Sequence, residues 1–143
     1  MTRSPRRPLG RALIAGSALL WPLLAVSTPS HAAAGGSRLD PGESLHRGQS
    51  ISAPTVYGSV TLTMQNDGNL VLYDQADHAC WASGTQPNGW EADYQQDGNF
   101  VVYDVSRHPL WASNTVDDGG DTVNFNAWGQ LWVGQTAISP YCS

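Results

Sequence analysis

Two stretches, QNDGNLVLYD (65–74) and QQDGNFVVYD (95–104), carry the same polar side chains at the same spacing, thirty residues apart. Side chains two apart on an extended strand share a face. Gln65 before the Asp-Gly turn and Asn69, Val71 and Tyr73 after it therefore converge, with Asp67 at the tip. Gln95, Asp97, Asn99, Val101 and Tyr103 repeat the set. Leu70 and Leu72 are out of phase and are expected in the core. Such a face offers amide donors and acceptors, an acidic acceptor, a phenolic hydroxyl and a small apolar patch. That combination suits a sugar ring, whose vicinal hydroxyls need several directional partners while its C–H face needs an apolar contact. Asp-Gly-Asn alone is ordinary hairpin chemistry. A turn does not, however, require Gln two residues before Asp or Tyr six residues after it, and here the whole spacing occurs twice.

The elements that must position these residues read as short strands. Aligning 65–85 with 95–115 gives 12 identities in 21 positions without a gap, an internal repeat. SVTLTMQ precedes the first Asp-Gly and NLVLYD follows it, a hairpin pattern. CWASGT or LWASNT then supplies a third strand, bounded by the turn formers QPNG and DDGG. No stretch after the first 34 residues keeps a 3.6-residue apolar period with caps, so the reading is all-β with helix nearly absent. A third unit, 121–138, sets Gly129 opposite Gly68 and Gly98 but has Asn126, Trp128, Gln130, Trp132 and Gly134 where the five polar-face residues stood. Its two tryptophans are expected in the core or an interface, with stacking on a sugar as the alternative. Three small antiparallel sheets can bury their apolar faces only against one another, which predicts a three-sided β-prism with pseudo-threefold symmetry. LDPGESLHRGQSISAP (39–54) is expected to add a short strand over the edge of the first sheet.

The chain has 143 residues. Residues 1–34 read as a signal peptide and short linker: Arg3, Arg6, Arg7 and Arg11 precede the apolar run ALIAGSALLWPLLAV, and small residues offer cleavage after Ala32 or Ala34. The run is too short to span a bilayer, so the expectation is a secreted protein without membrane insertion. Residues 35–143 are enough for one domain. This part keeps three Arg and no Lys against twelve acids, 3 − 12 = −9, which makes nucleic acid a poor partner. Cys80 and Cys142 are an even pair in an exported chain and invite a disulfide; separate thiols and an intermolecular bridge are the alternatives.

Gln-x-Asp-x-Asn-x-Val-x-Tyr, matched at all five positions by both copies, resembles the signature of the bulb-type, monocot mannose-binding lectins related to snowdrop agglutinin. LDPGESLHRGQSI, WASGT and WASNT are also similar to that family, so the likeness runs from Leu39 to Ile138. It implies a β-prism II fold and a shallow mannose site in each intact unit, with no metal or other cofactor. Asp67 and Asn69 would hold the axial 2-hydroxyl, Gln65 the 3-hydroxyl and Tyr73 the 4-hydroxyl, with Val71 against the ring carbons. Asp97, Asn99, Gln95, Tyr103 and Val101 would act likewise in the second unit. The partners implied are mannose-containing glycans, and family members often dimerise by exchanging the C-terminal strand, here LWVGQTAI. Many plant members carry a cysteine where this chain has Gly68.

Other chemistries fit less well. A glycosidase needs two carboxyl groups in one cleft, whereas Asp67 and Asp97 belong to different units and Glu43 and Glu91 have no repeated context. His78 and His108 recur without neighbouring ligands of metal spacing and read as exposed loop residues. VDDGGD (116–121) lacks the spacing of a calcium loop. A secreted protein-interaction or toxin-like module on the same fold is the alternative function, which the altered third unit suggests.

Overall fold

A computed structural model describes residues 36–143. The leader, its cleavage point and the linker lie outside the described residues. Eleven strands run in chain order: β1 (Ser44–His46), β2 (Ser50–Thr55), β3 (Gly58–Met64), β4 (Leu70–Asp74), β5 (Ala79–Ala82), β6 (Glu91–Tyr94), β7 (Phe100–Tyr103), β8 (Pro109–Ala112), β9 (Val123–Phe125), β10 (Leu131–Val133) and β11 (Thr136–Ala137). No helix occurs among the described residues. Three antiparallel sheets form, ordered β2-β3-β4-β5, β1-β6-β7-β8 and β11-β10-β9. Each is built on one sequence unit, with β1 and β2 of the N-terminal segment added to the second and first.

Alternation along each strand decides what is buried. In β3, Val60, Leu62 and Met64 turn inward and Thr61 and Thr63 stay half-exposed. The inward residues of all three sheets meet in one cluster: Leu62, Leu70 and Leu72 from the first, Phe100 and Val102 from the second, Val123, Leu131 and Val133 from the third. Trp81 and Trp111, from the repeated Trp-Ala-Ser, meet edge-to-face with ring centroids 5.2 Å apart and so join the first two sheets.

The N-terminal segment does more than cover one edge. β2 does pair with β3 of the first sheet, but β1 pairs with β6 of the second, and Leu39 makes a two-hydrogen-bond bridge to Val123 of the third. Leu39, Leu45 and Ile51, all fully buried, thus bind the three sheets from a single stretch of chain. At the other end, Cys80 and Cys142 form a disulfide with a Cα–Cα distance of 5.4 Å. Cys80 is the extra residue where the β4–β5 register shifts after Leu72, and the bulge frees it to reach the tail. The tail crosses the turn of the third unit at Gly129, where an added Cβ would lie 2.4 Å from the Cys142 carbonyl oxygen. First and third units are thereby fastened together.

Candidate functional site

In both intact units the turn is built the same way. Gly68 and Gly98 take positive φ angles of 91° and 86°, and their N–H groups donate to the carbonyls of Gln65 and Gln95. Asp67 Oδ1 accepts the Asn69 N–H at 2.9 Å, and Asp97 Oδ1 that of Asn99 at 3.0 Å. One carboxylate oxygen of each Asp holds the turn and the other stays open on an exposed residue.

Asn69 has a structural partner set that sequence reasoning missed. Its Oδ1 accepts from Ser83 Oγ (3.2 Å), the Gly84 N–H (2.9 Å) and the Thr85 N–H (3.3 Å). Asn99 Oδ1 accepts from Ser113 Oγ (3.1 Å) and the Thr115 N–H (3.3 Å). Backbone donors fix which end of the amide is oxygen, so Nδ2 of each Asn is left as a donor. The recurring Ser-x-Thr after Ala82 and Ala112 is the signal that could have revealed this anchor.

Gln65 Nε2 donates to Tyr73 Oη at 2.6 Å, and Gln95 Nε2 to Tyr103 Oη at 2.6 Å. Tyr oxygen acts there as acceptor, so its own O–H is free to donate, and Gln Oε1 is free to accept. In the β3–β4 register Val71 faces Thr63 and Tyr73 faces Thr61, which places Val71 between Gln65 and Tyr73 on one face. The Gln–Tyr bond spans it. Val71 is accordingly 2% exposed and Val101 3% exposed, where an open apolar patch was expected. The register thus puts Gln, Asn, Val and Tyr of each set on one face, with the Asp in the adjoining turn, and makes the valine a floor under the bridge. The register shifts after Leu72 and Val102, the position before each Tyr, and such bulges re-aim side chains.

The turn of the first unit lies on the following loop: an added Cβ at Gly68 would be 2.8 Å from the carbonyl oxygens of Pro87 and Gly89. Arg47 braces that loop, donating from Nε to Gly89 O (2.7 Å) and from Nη2 to Pro87 O (2.8 Å). No room exists there for the cysteine of the plant signature.

The third unit keeps the turn and loses the chemistry. Gly129 has φ 77° and its N–H donates to the Asn126 carbonyl, as in the other units. Asn126 Nδ2 donates to Gln130 Oε1 at 2.7 Å, and Asn126 Oδ1 accepts the N–H groups of Trp128 and Gln130, both at 3.0 Å. These polar groups satisfy one another. Gly134 stands in place of Tyr, and a Cβ there would lie 2.5 Å from Gly119 O, because the 117–121 loop occupies that space. Trp128 does not enter the core: it is 49% exposed, its ring 6.1 Å from that of Tyr57.

His78 and His108 are turn residues. Asp74 Oδ1 accepts the N–H groups of Ala76 and His78, and its Oδ2 lies 3.1 Å from His78 Nδ1; Asp104, Ser106 and His108 repeat the pattern. The His78 and His108 backbone N–H bonds hold the Asp74 and Asp104 carboxyls below the ordinary range. No group of three or more metal-ligating side chains occurs among the described residues.

Neither a family model nor a curated protein sequence matches the chain. Solved structures do. A lectin from garlic, Allium sativum, is 36% identical over 73% of this chain and 99% of its own length, with a TM-score of 0.59. The mannose-specific agglutinin of snowdrop bulbs, Galanthus nivalis, solved with methyl α-D-mannoside, is 35% identical over 70% of this chain and 90% of its own, TM-score 0.58. A monomeric monocot mannose-binding lectin from Gastrodia elata is 33% identical over 72% of this chain and 100% of its own, TM-score 0.52.

Proposed function

The chain belongs to the bulb-type, monocot mannose-binding lectin family, whose fold is the β-prism II, and from that premise we propose that it is a secreted lectin for α-mannose residues. It acts through two sites, Gln65/Asp67/Asn69/Val71/Tyr73 and Gln95/Asp97/Asn99/Val101/Tyr103. The observation that carries this reading is the duplicated geometry, in which Gln–Tyr bridges of 2.6 Å and anchored Asn amides recur in two units. The open Asp oxygen accepts, and Asn Nδ2 donates, at the axial 2-hydroxyl. Gln Oε1 takes the 3-hydroxyl and Tyr Oη the 4-hydroxyl, while Val supports the bridge beneath the ring carbons. An equatorial 2-hydroxyl would leave the Asp–Asn pair unmatched, so glucose is discriminated against. Binding is reversible recognition, as befits a lectin family, with no bond made or broken.

A few hydrogen bonds on an open face support affinities on the order of millimolar, about −4 kcal/mol. Useful retention then comes from two sites per chain engaging one mannose-rich polymer by avidity. Exchange of the C-terminal strand would double that number and would carry Cys142 to the partner's Cys80. Export through the Arg-rich leader completes the reading, and the secreted protein should begin at Ala33 or Gly35 on N-terminal sequencing. The binding test is retention on immobilised α-mannose. Elution by methyl α-mannoside and not by methyl α-glucoside is the expected result; passage through the column unretained would refute the reading.

A further inference from the structure

The tip of the third hairpin is built against the first sheet, at the end opposite the Asp67 turn. Val56, in the β2–β3 turn, donates its N–H to Ala127 O at 2.9 Å, and the neighbouring Tyr57 and Trp128 come side by side. Their ring centroids lie 6.1 Å apart with the planes tilted by 50°, and the two residues are 52% and 49% exposed. The backbone under both is fixed. Asn126 Oδ1 accepts the Trp128 N–H at 3.0 Å, and Thr55 Oγ1 accepts the Tyr57 N–H at 3.2 Å. Tyr57 also lines a cavity of about 260 Å³ together with Thr55, Ser59, Asp74, Gln75 and His78. Ser59, Gln75 and His78 are exposed and Thr55 half-exposed, so polar side chains open to solvent adjoin the rings. Thr55, an acceptor toward Tyr57, keeps its O–H as a donor. Gln75 folds across Gly58, where an added Cβ would collide with its carboxamide, and so lies on the same turn as Tyr57.

We propose that Tyr57 and Trp128 form a second kind of carbohydrate site, a stacking platform for a β-linked chain of gluco-configured pyranose rings. Stereochemistry selects this class. Every substituent of such a ring is equatorial, so both faces present bare C–H groups to an aromatic surface. An α-mannoside carries an axial oxygen on each face, at C1 on one and at C2 on the other, and stacks poorly. The platform therefore complements the mannose sites and does not copy them. Two tilted rings 6.1 Å apart offer two successive faces, which calls for linked residues and not a single sugar. Thr55, Ser59 and Gln75 supply the neutral donors and acceptors that equatorial hydroxyls need. Charge disfavours an anionic chain, because Asp74 lines the cavity and no Lys or Arg does so among the described residues. Asp74 spends its carboxylate on the Ala76 and His78 N–H groups and the His78 ring, so it does not select a cation. Size disfavours a protein: stable interfaces take roughly 20–30 residues a side, whereas the exposed apolar surface of this turn is Val56, Tyr57 and Trp128 beside a polar cavity.

The test is a titration of the disulfide-bonded protein with cellohexaose and, separately, N-acetylated chitohexaose, read by amide and indole shifts with methyl α-mannoside present in excess. At least one oligomer should give saturable shifts in residues 55–59, 75–78 and 126–129, centred on the Trp128 indole, while the Asp67 and Asp97 turns stay unmoved. Which oligomer responds distinguishes a hydroxyl from an acetamido substituent on the ring. Trp128→Ala should weaken that binding about tenfold, the loss expected for one aromatic stacking contact, and Trp128→Tyr should recover most of it. Unchanged amide shifts in β6, β7 and β8 report that each variant is folded. No saturable shift with either oligomer, shifts centred on Asp67 or Asp97, or an unchanged affinity in Trp128→Ala would overturn the platform while leaving the mannose reading intact. Failure of methyl α-mannoside to bind would refute the mannose reading and leave the platform standing.

Discussion

The first and third units share a hairpin, a glycine turn and an inward apolar row, yet they spend the polar groups of the outer hairpin face differently. In the first, the Asn69 oxygen is spent on the Ser83–Thr85 loop, and this commitment leaves the amide nitrogen facing out. In the third, Asn126 and Gln130 bond to each other and the 117–121 loop fills the space over Gly134. On the proposed lectin reading, binding capacity is therefore a matter of which polar atoms the fold leaves unspent. The scaffold is indifferent to the distinction.

The largest expected effect comes from separating the two regions. Replacing Cys80 and Cys142 by Ser opens a cross-link between residues 62 apart, which costs about 4 kcal/mol on the chain-entropy model. Thermal unfolding should shift down accordingly, and hydrogen exchange should rise first in β10, β11 and the tail. Uniform loosening of all three sheets would instead mean that the third unit is not the dependent one. On a non-reducing gel the intact protein should run as a single chain; a covalent dimer would reveal C-terminal strand exchange.

Asn69→Ala comes next. It removes the acceptor of two backbone N–H groups and should cost about 1–3 kcal/mol of stability along with binding at the first site. Gln130→Ala in the third unit should leave sugar binding untouched. Equal losses of binding in the two variants, read by calorimetry, would erase the contrast. Tyr73→Phe is milder, since it removes the outward hydroxyl and should weaken the first site by roughly 1 kcal/mol while sparing the second. Loss at both sites would mean that Tyr73 acts through the fold.

Acid should discriminate the units most gently. Asp74 and Asp104 have folded pKa values lowered by the backbone N–H groups of His78 and His108, whereas the third unit has Gln135 at the matching position. A lowered carboxylate contributes stability that is present above its unfolded pKa of about 3.9 and is lost as pH falls through the folded value. Amide protection factors in the β4–β5 and β7–β8 connectors should therefore fall below about pH 4 while those of the β10–β11 turn stay constant. Loss of protection in that turn over the same range would assign the acid sensitivity elsewhere.

Period-two alternation and the thirty-residue repeat made the sheets and the shared face of Gln65, Asn69 and Tyr73 legible in the sequence, because each depends on neighbours a few residues away. The path of the N-terminal segment was not legible. β1 is three residues long and finds its partner 45 or more positions later, so no local pattern announces it. The burial of Val71 follows from a diagonal Gln–Tyr bond that alternation cannot foresee. Arg107 reaches Tyr103 from a turn where its own φ is 66°, and a charged residue in a loop carries no mark of that approach.

The most direct test of the central claim is a titration of the protein with methyl α-mannoside, with methyl α-glucoside as control, followed by amide shifts across all three units. The account predicts saturable shifts for mannoside alone, centred on Asp67 and Asp97 and absent around Trp128. Shifts around Trp128 comparable to those at Asp67, or no saturable shift with either sugar, would contradict it.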